Sequence, residues 1–254
     1  MKPIPFVISL LVAGAVLAIV DLCTLPTGIT DEPACAPIDT VWPYPTVLTI
    51  DADSGGSIYD SLAAELGIEP AAMRAVSSIE AGHSHTAFIS PGSPVVNLEV
   101  PMFKEQLQRA GLDVDSLARA MPDAFSRPSR SRYADPLLAQ RAMYRAASAV
   151  NDTLAMLCTY WGMYQIRGSN WRLCGAESVR DFVEKMSQSE DMQHRLFANY
   201  IKNTGLYRPL QAHDWAAFAR AYNGEGYARH GYHTRLAAAY ARYSRRGTPQ
   251  STSK

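Results

Sequence analysis

From Ser57 to Arg245, apolar residues recur at the three-and-four spacing of helices in one segment after another. That repetition restricts the chain to a mainly α domain. Tyr59, Leu62 and Leu66 form the first stripe. Gly67 breaks it, and Ile68-Glu69-Pro70 opens a second helix with Met73, Val76 and Ile79 on one face, ending around Gly82. The pattern is interrupted once. Thr86 to Ser90 and Val95 to Glu99 are β-prone runs flanking Pro91-Gly92-Ser93-Pro94, and together they predict a small hairpin. Beyond it, helices are expected at about 101–111, 113–120, 136–150, 160–167, 178–187, 189–204, 213–222 and 232–245. Ser126 to Asp135 reads as a loop. No internal repeat and no second compact domain is apparent.

Ahead of this domain the chain has a different character. Met1 and Lys2 precede an uncharged apolar run from Ile4 to Val20, which fits a secretory signal peptide or a short membrane anchor. Residues 21–56, punctuated by Pro26, Pro33, Pro37, Pro43 and Pro45, read as a tether, so the domain spans 57–245 and 246–254 is a disordered tail. Export to the periplasm, with or without anchoring in the inner membrane, is the expected location. Lysines plus arginines equal aspartates plus glutamates at 24 each, so the basic excess of a nucleic-acid binder is missing. Four cysteines suit an oxidising compartment. Cys158 with Cys174, and Cys23 with Cys35, are the local pairings; free buried thiols are the alternative.

The chemistry begins with carboxylates. Cleaving a glycoside requires a proton donor at the leaving oxygen and a second group that manages positive charge or positions water. Glu80 closes a helix beside the apolar Val76 and Ile79, and partial desolvation there raises a carboxyl pKa. The helix C-terminus, whose carbonyls disfavour added negative charge, acts in the same direction. If the hairpin turns at Gly92, Glu99 lies opposite roughly Thr86, and both carboxylates face one cleft. Two further segments carry candidate ligand groups. In Tyr160-Trp161-Gly162-Met163-Tyr164-Gln165, the glycine admits close backbone approach, and Gln165 offers a two-ended hydrogen-bonding group. In Tyr222-Asn223-Gly224-Glu225-Gly226-Tyr227, Asn223 and two glycines mark a helix end, and Tyr222 and Tyr227 offer rings to stack on sugar faces.

The order helix-Glu, Gly-aromatic turn with Gln165, then Tyr-Asn-Gly resembles the lysozyme-like superfamily of goose-type lysozymes and lytic transglycosylases. More closely, Pro70 to Gly82, Val96 to Phe103, Tyr160 to Gly175 and Asp214 to Tyr243 are similar to the bacterial and phage N-acetylmuramidase family. The resemblance spans roughly residues 57–245. It implies a mainly α, lysozyme-like domain with a small β-hairpin beside the active-site cleft. It implies hydrolysis of the β-1,4 bond between N-acetylmuramic acid and N-acetylglucosamine in peptidoglycan, with Glu80 as catalytic acid and Glu99 as second carboxylate. Trp161, Gly162, Gln165, Tyr222, Asn223 and Tyr227 fall where the glycan is held. The chain departs from the family pattern after the acid, where Ala81-Gly82-His83 replaces the usual Ser-Gly-Gly, and at Asn97, where an apolar residue is usual.

No cofactor is expected, the partner is the glycan strand, and the protein is expected to act as a monomer. His83 and His85 beside Glu80 also admit a metal site, although two histidines and one glutamate recur by chance. A lytic transglycosylase would use the same acid without an attacking water. A non-catalytic wall-binding protein would retain Gln165 and Asn223 but would have no need of Glu80. Neither a Gly-x-Ser-x-Gly elbow nor a phosphate-binding Gly-x-x-x-x-Gly-Lys loop is present.

Overall fold

The structure is a computed structural model, and it describes residues 57–80, 86–128 and 132–247, the last two for backbone only. The expected signal or anchor and tether, the tail from 248 on, and Cys23, Cys35, His83 and His85 lie outside the described residues, while 246 and 247, expected in the tail, continue the last helix. Two short helices open the domain. In α1 (Ile58–Leu66) the Ser57 hydroxyl caps the start, and Gly67, left-handed at φ 63°, ends the helix. In α2 (Pro70–Glu80) the face Met73, Ala75, Val76 and Ser77 is buried. The Arg74 guanidinium holds the Asp60 carboxylate at 2.9 Å and ties the two helices together.

The β region differs from the expected simple hairpin. β1 (Phe88–Ser90) turns tightly into β2 (Ser93–Pro94), but β3 (Val96–Leu98) does not continue that pairing. Instead β3 pairs antiparallel with β4 (Thr159–Trp161), Val96 facing Trp161 and Leu98 facing Thr159. Val95 is where the chain changes partner: its N–H donates to the Ala87 carbonyl at 3.0 Å, and its carbonyl accepts from Gly162 N–H at 2.8 Å. Glu99 therefore does not lie opposite Thr86; its N–H bonds the Cys158 carbonyl at 2.9 Å. β4 then pairs with β5 (Ile166–Arg167) to complete a three-stranded sheet.

The helix expected at 160–167 is thus a strand, a tight turn and a strand. Thr159, Tyr160 and Trp161 are residues that suit a pleated, half-buried surface. Gln165 stands at φ 49°, a left-handed conformation that helices do not contain. The remaining helices are α3 (Val100–Arg109), α4 (Val114–Ala120), α5 (Pro136–Val150), α6 (Asp152–Leu157), α7 (Val179–Met186), α8 (Glu190–Thr204), α9 (Tyr207–Gln211), α10 (Trp215–Asn223) and α11 (Tyr232–Gly247). Each of the helices expected in these regions is present, while α6 and α9 are additions.

Two apolar clusters hold these elements. The larger gathers Met73, Val76, Trp161, Tyr164, Phe182, Phe197, Ile201, Phe218, Tyr222 and Leu236 around α8, which is buried along most of its length. The smaller is built from Leu98, Phe103, Leu107, Phe125, Met143 and Ala147. Burying each such large side chain stabilises the fold by roughly 1.5–3 kcal/mol. Cys158 lies in the smaller cluster and Cys174 in the larger, and both are free thiols, so the Cys158–Cys174 pairing does not form. Burial pushes the Cys158 thiol up to about 12, and the Cys174 thiol is raised for the same reason. No described helix is long and apolar enough to cross a membrane.

Candidate active site

Glu80 is the last residue of α2, and two helices meet it there. α11 packs along α2 more extensively than any other pair of elements does. It runs in the opposite direction, since Tyr240 donates to Glu69 just before the start of α2, while Tyr232 and Arg235 sense the Glu80 charge at its end. α10 ends on Asn223, where Gly224 at φ 74° turns the chain away. The buried Asn223 amide thereby comes within 3.2 Å of Glu80, its Nδ2 donating to Oε1. Two of the segments singled out in the sequence are joined by this one bond.

As a residue Glu80 keeps some accessible surface, while the protein packed around its carboxyl strips that group of hydration. That burial pushes its pKa from the ordinary 4.5 up to about 7, against the opposing pull of the Asn223 hydrogen bond and the Arg235 charge. Three tyrosines line its surroundings. Burial first, with the Glu80 charge contributing, raises the phenols of Tyr164, Tyr222 and Tyr232. A carboxyl that retains its proton near neutrality beside an accessible surface is equipped to be a general acid.

Glu99 has different company. It sits at the N-cap of α3 without a side-chain capping bond. Its charge adds to burial in raising Cys158 and Tyr160, both of which also sense Arg167. The groups that sense Glu80 and those that sense Glu99 do not overlap among these shifts.

The aromatic segments also take roles other than those expected. Trp161 is 1% exposed, donates its indole N–H to the Met156 carbonyl at 3.1 Å and packs edge-on against Tyr144. It is a core residue and presents no face to a glycan. Gly162, at φ 70°, is required by a protein neighbour: a Cβ there would stand 2.6 Å from Gln193 Oε1. Gln193, fully buried, accepts from Met163 N–H at 2.8 Å and donates to the Met186 carbonyl at 2.9 Å, pinning the turn between β4 and β5. Tyr222 is also buried, its hydroxyl donating to the Tyr164 carbonyl at 3.1 Å, so it forms a wall of the site and not a stacking platform. Gln165 is partly exposed and donates through Nε2 to the Gly162 carbonyl. Tyr227 keeps partial exposure beneath the Arg220 guanidinium.

Sequence reasoning passed over Ser77, Tyr164, His194, Tyr232 and Arg235. Tyr164 donates to Ser77 Oγ at 2.7 Å and contacts His194 Nδ1, while Tyr59 meets His194 Nε2 at 3.3 Å. Ser77 and His194 also line a cavity of about 390 Å³ with Tyr59, Arg74, Ser78 and Met163. Polar residues inside apolar helical stripes, Ser77 in α2 and Gln193-His194 in α8, are the local signal that marks these positions. Among the described residues no cluster of histidine, cysteine, aspartate or glutamate is arranged to hold a metal.

Comparison with known proteins identifies relatives of the chain. The family model described as Muramidase, N-acetylmuramidase, matches residues 69–244. The crystal structure of the Burkholderia AP3 phage endolysin is similar, with 33% sequence identity and a TM-score of 0.62, over 75% of this chain and 70% of that one. A search of curated proteins gave no match.

Proposed function

The chain belongs to the N-acetylmuramidase family and is a glycoside hydrolase acting on peptidoglycan, and on that premise we propose that Glu80 is the acid that cleaves the β-1,4 bond between N-acetylmuramic acid and N-acetylglucosamine. The observation that carries this assignment is the 3.2 Å hydrogen bond from Asn223 to Glu80 at the meeting point of α2, α10 and α11. With Oε1 occupied by the Asn223 donor, the proton resides on Oε2. Oε2–H then protonates the leaving glycosidic oxygen as the C1–O bond breaks. The resulting carboxylate is stabilised by the same Asn223 donor and by the Arg235 charge. Water adds to the oxocarbenium-like carbon, and its proton returns to Glu80.

Partial exposure supports Gln165 and Tyr227 as glycan contacts, the first through its amide oxygen and the second through its ring. Trp161 and Tyr222 serve as supporting core. Glu99, beside Tyr160 and Arg167, stands outside the proton transfer. Because peptidoglycan lies outside the cytoplasmic membrane, the apolar run at residues 1–20 is proposed as the export signal or anchor, with 21–56 as a tether and 57–245 as the catalytic domain. The domain is proposed to act as a monomer.

Digestion of purified sacculi with wild-type and Glu80→Gln protein tests the reading. Wild-type protein is expected to release muropeptides with reducing N-acetylmuramic acid ends, and Glu80→Gln none. Release by the variant at the wild-type rate removes Glu80 from the mechanism. Anhydro-muramic ends would identify intramolecular attack by the 6-hydroxyl and remove water as the nucleophile.

A further inference from the structure

We propose that Tyr164 is a positioning residue for the Glu80 acid, holding the ends of α2 and α10 at the spacing their hydrogen bond requires. The inference rests on Glu80 as the proton donor and adds a residue that never meets the substrate. Tyr164 is 3% exposed, and its ring lies flat on Phe197 with centroids 3.8 Å apart and planes 5° from parallel. Phenylalanine would satisfy that packing equally. The polar atoms of Tyr164 are what distinguish it.

Its side chain and main chain reach different helices. The hydroxyl donates to Ser77 Oγ at 2.7 Å, three residues before Glu80 on α2. The carbonyl accepts from the Tyr222 hydroxyl at 3.1 Å, one residue before Asn223 on α10. The two partners of the Glu80–Asn223 bond are therefore each held, within one helical turn, by the same residue of the β4–β5 turn. Gln193 fixes that turn from below through Met163 N–H.

The proton inventory around Tyr164 gives the linkage a direction. A phenol has one proton, and Ser77 receives it. The contact with His194 Nδ1 then requires the imidazole to donate, which makes Nε2 the acceptor for the Tyr59 hydroxyl at 3.3 Å. That tautomer belongs to a neutral ring, and burial, which disfavours the charged form of His194, keeps it neutral. The chain runs from Tyr59 through His194 and Tyr164 to Ser77, with one proton per link. A buried network of this kind fixes geometry because each unmade bond leaves an unsatisfied polar group.

The test is Tyr164→Phe, which keeps the stack on Phe197 and removes only the hydroxyl. A misplacement of about 1 Å at a catalytic group costs up to roughly 100-fold in rate, so kcat is expected to fall by roughly 10- to 100-fold with KM little changed. Loosening the end of α2 also admits water to Glu80. Burial being the largest influence on that carboxyl, the alkaline limb of the pH–rate profile is expected to move to lower pH. Ser77→Ala, which removes the acceptor alone, is expected to act in the same direction, and Ser77→Thr to restore most of the rate. An unchanged kcat and an unchanged limb in both Tyr164→Phe and Ser77→Ala, with Glu80→Gln inactive, overturn the proposal while leaving the acid in place. If Tyr164→Phe does not fold, an unchanged limb in a folded Ser77→Ala overturns it alone. An active Glu80→Gln removes the premise itself.

Discussion

Replacing Glu80 by Gln removes a titrating group whose proton the folded protein holds far more tightly than the unfolded chain does. A pKa of about 7 in place of the ordinary 4.5 corresponds to roughly 300-fold tighter proton binding, or on the order of 3 kcal/mol. The sign follows from which state retains the proton. Below the ordinary value both states are protonated and the site costs nothing. As pH rises from about 4.5 through 7, the unfolded chain ionises first, and the folded protein loses stability until its own carboxyl has ionised. Glutamine keeps the Asn223 hydrogen bond at Oε1 and does not titrate. Glu80→Gln is therefore expected to match or slightly exceed wild type near pH 4, and to exceed it by on the order of 3 kcal/mol at pH 8.5. For a domain of this size that is a widening of the Tm difference by roughly 6–12 °C. Calorimetry or circular dichroism of both proteins across pH 4–9 reads it directly. A Tm difference that stays flat across this range would refute the reasoning, because no excess proton would then be held at Glu80 in the folded state.

Asn223→Leu, close to isosteric, removes a donor that favours the carboxylate. It is expected to move the alkaline limb of activity to higher pH and to lower kcat/KM by at least about tenfold, read from sacculus-clearing rates at several pH values. Glu99→Gln is expected to reduce the rate by less than about tenfold and to leave that limb in place; a larger loss would return Glu99 to the proton-transfer chemistry. Gly168→Ala tests the joint between α6 and β5, since a Cβ there would stand 2.0 Å from the Met156 carbonyl oxygen. A loss of roughly 3 kcal/mol or more in denaturant unfolding is expected, because backbone on both sides must shift.

The helical stripes gave reliable information because each rests on neighbours within one turn. Met73 and Val76 place one face of α2 in the core, and Pro70 marks its start. The buried carboxyl at its end was readable for the same reason: Val76 and Ile79 announce apolar surroundings for Glu80. What failed depended on partners distant in sequence. β3 pairs with β4, more than sixty residues away, and nothing in Val96-Asn97-Leu98 names that partner. A hairpin closed on its nearest neighbour was the local solution, and it placed Glu99 wrongly. Trp161 and Tyr222 read as glycan contacts because exposed and buried aromatics share the same letters. Only the Met156 carbonyl and the Tyr164 carbonyl, waiting for their donors, show that both rings face inward. Gly162 is required for close approach, as its position beside bulky residues implied, but the approaching group is Gln193.

The central claim is a protonated carboxyl at the end of α2. Titration of Glu80 by carbon-13 NMR, with its side-chain carboxyl assigned by difference from Glu80→Gln, measures it without substrate. A midpoint near pH 7 is predicted. A midpoint near 4.5, the value of a solvated glutamate, would contradict it.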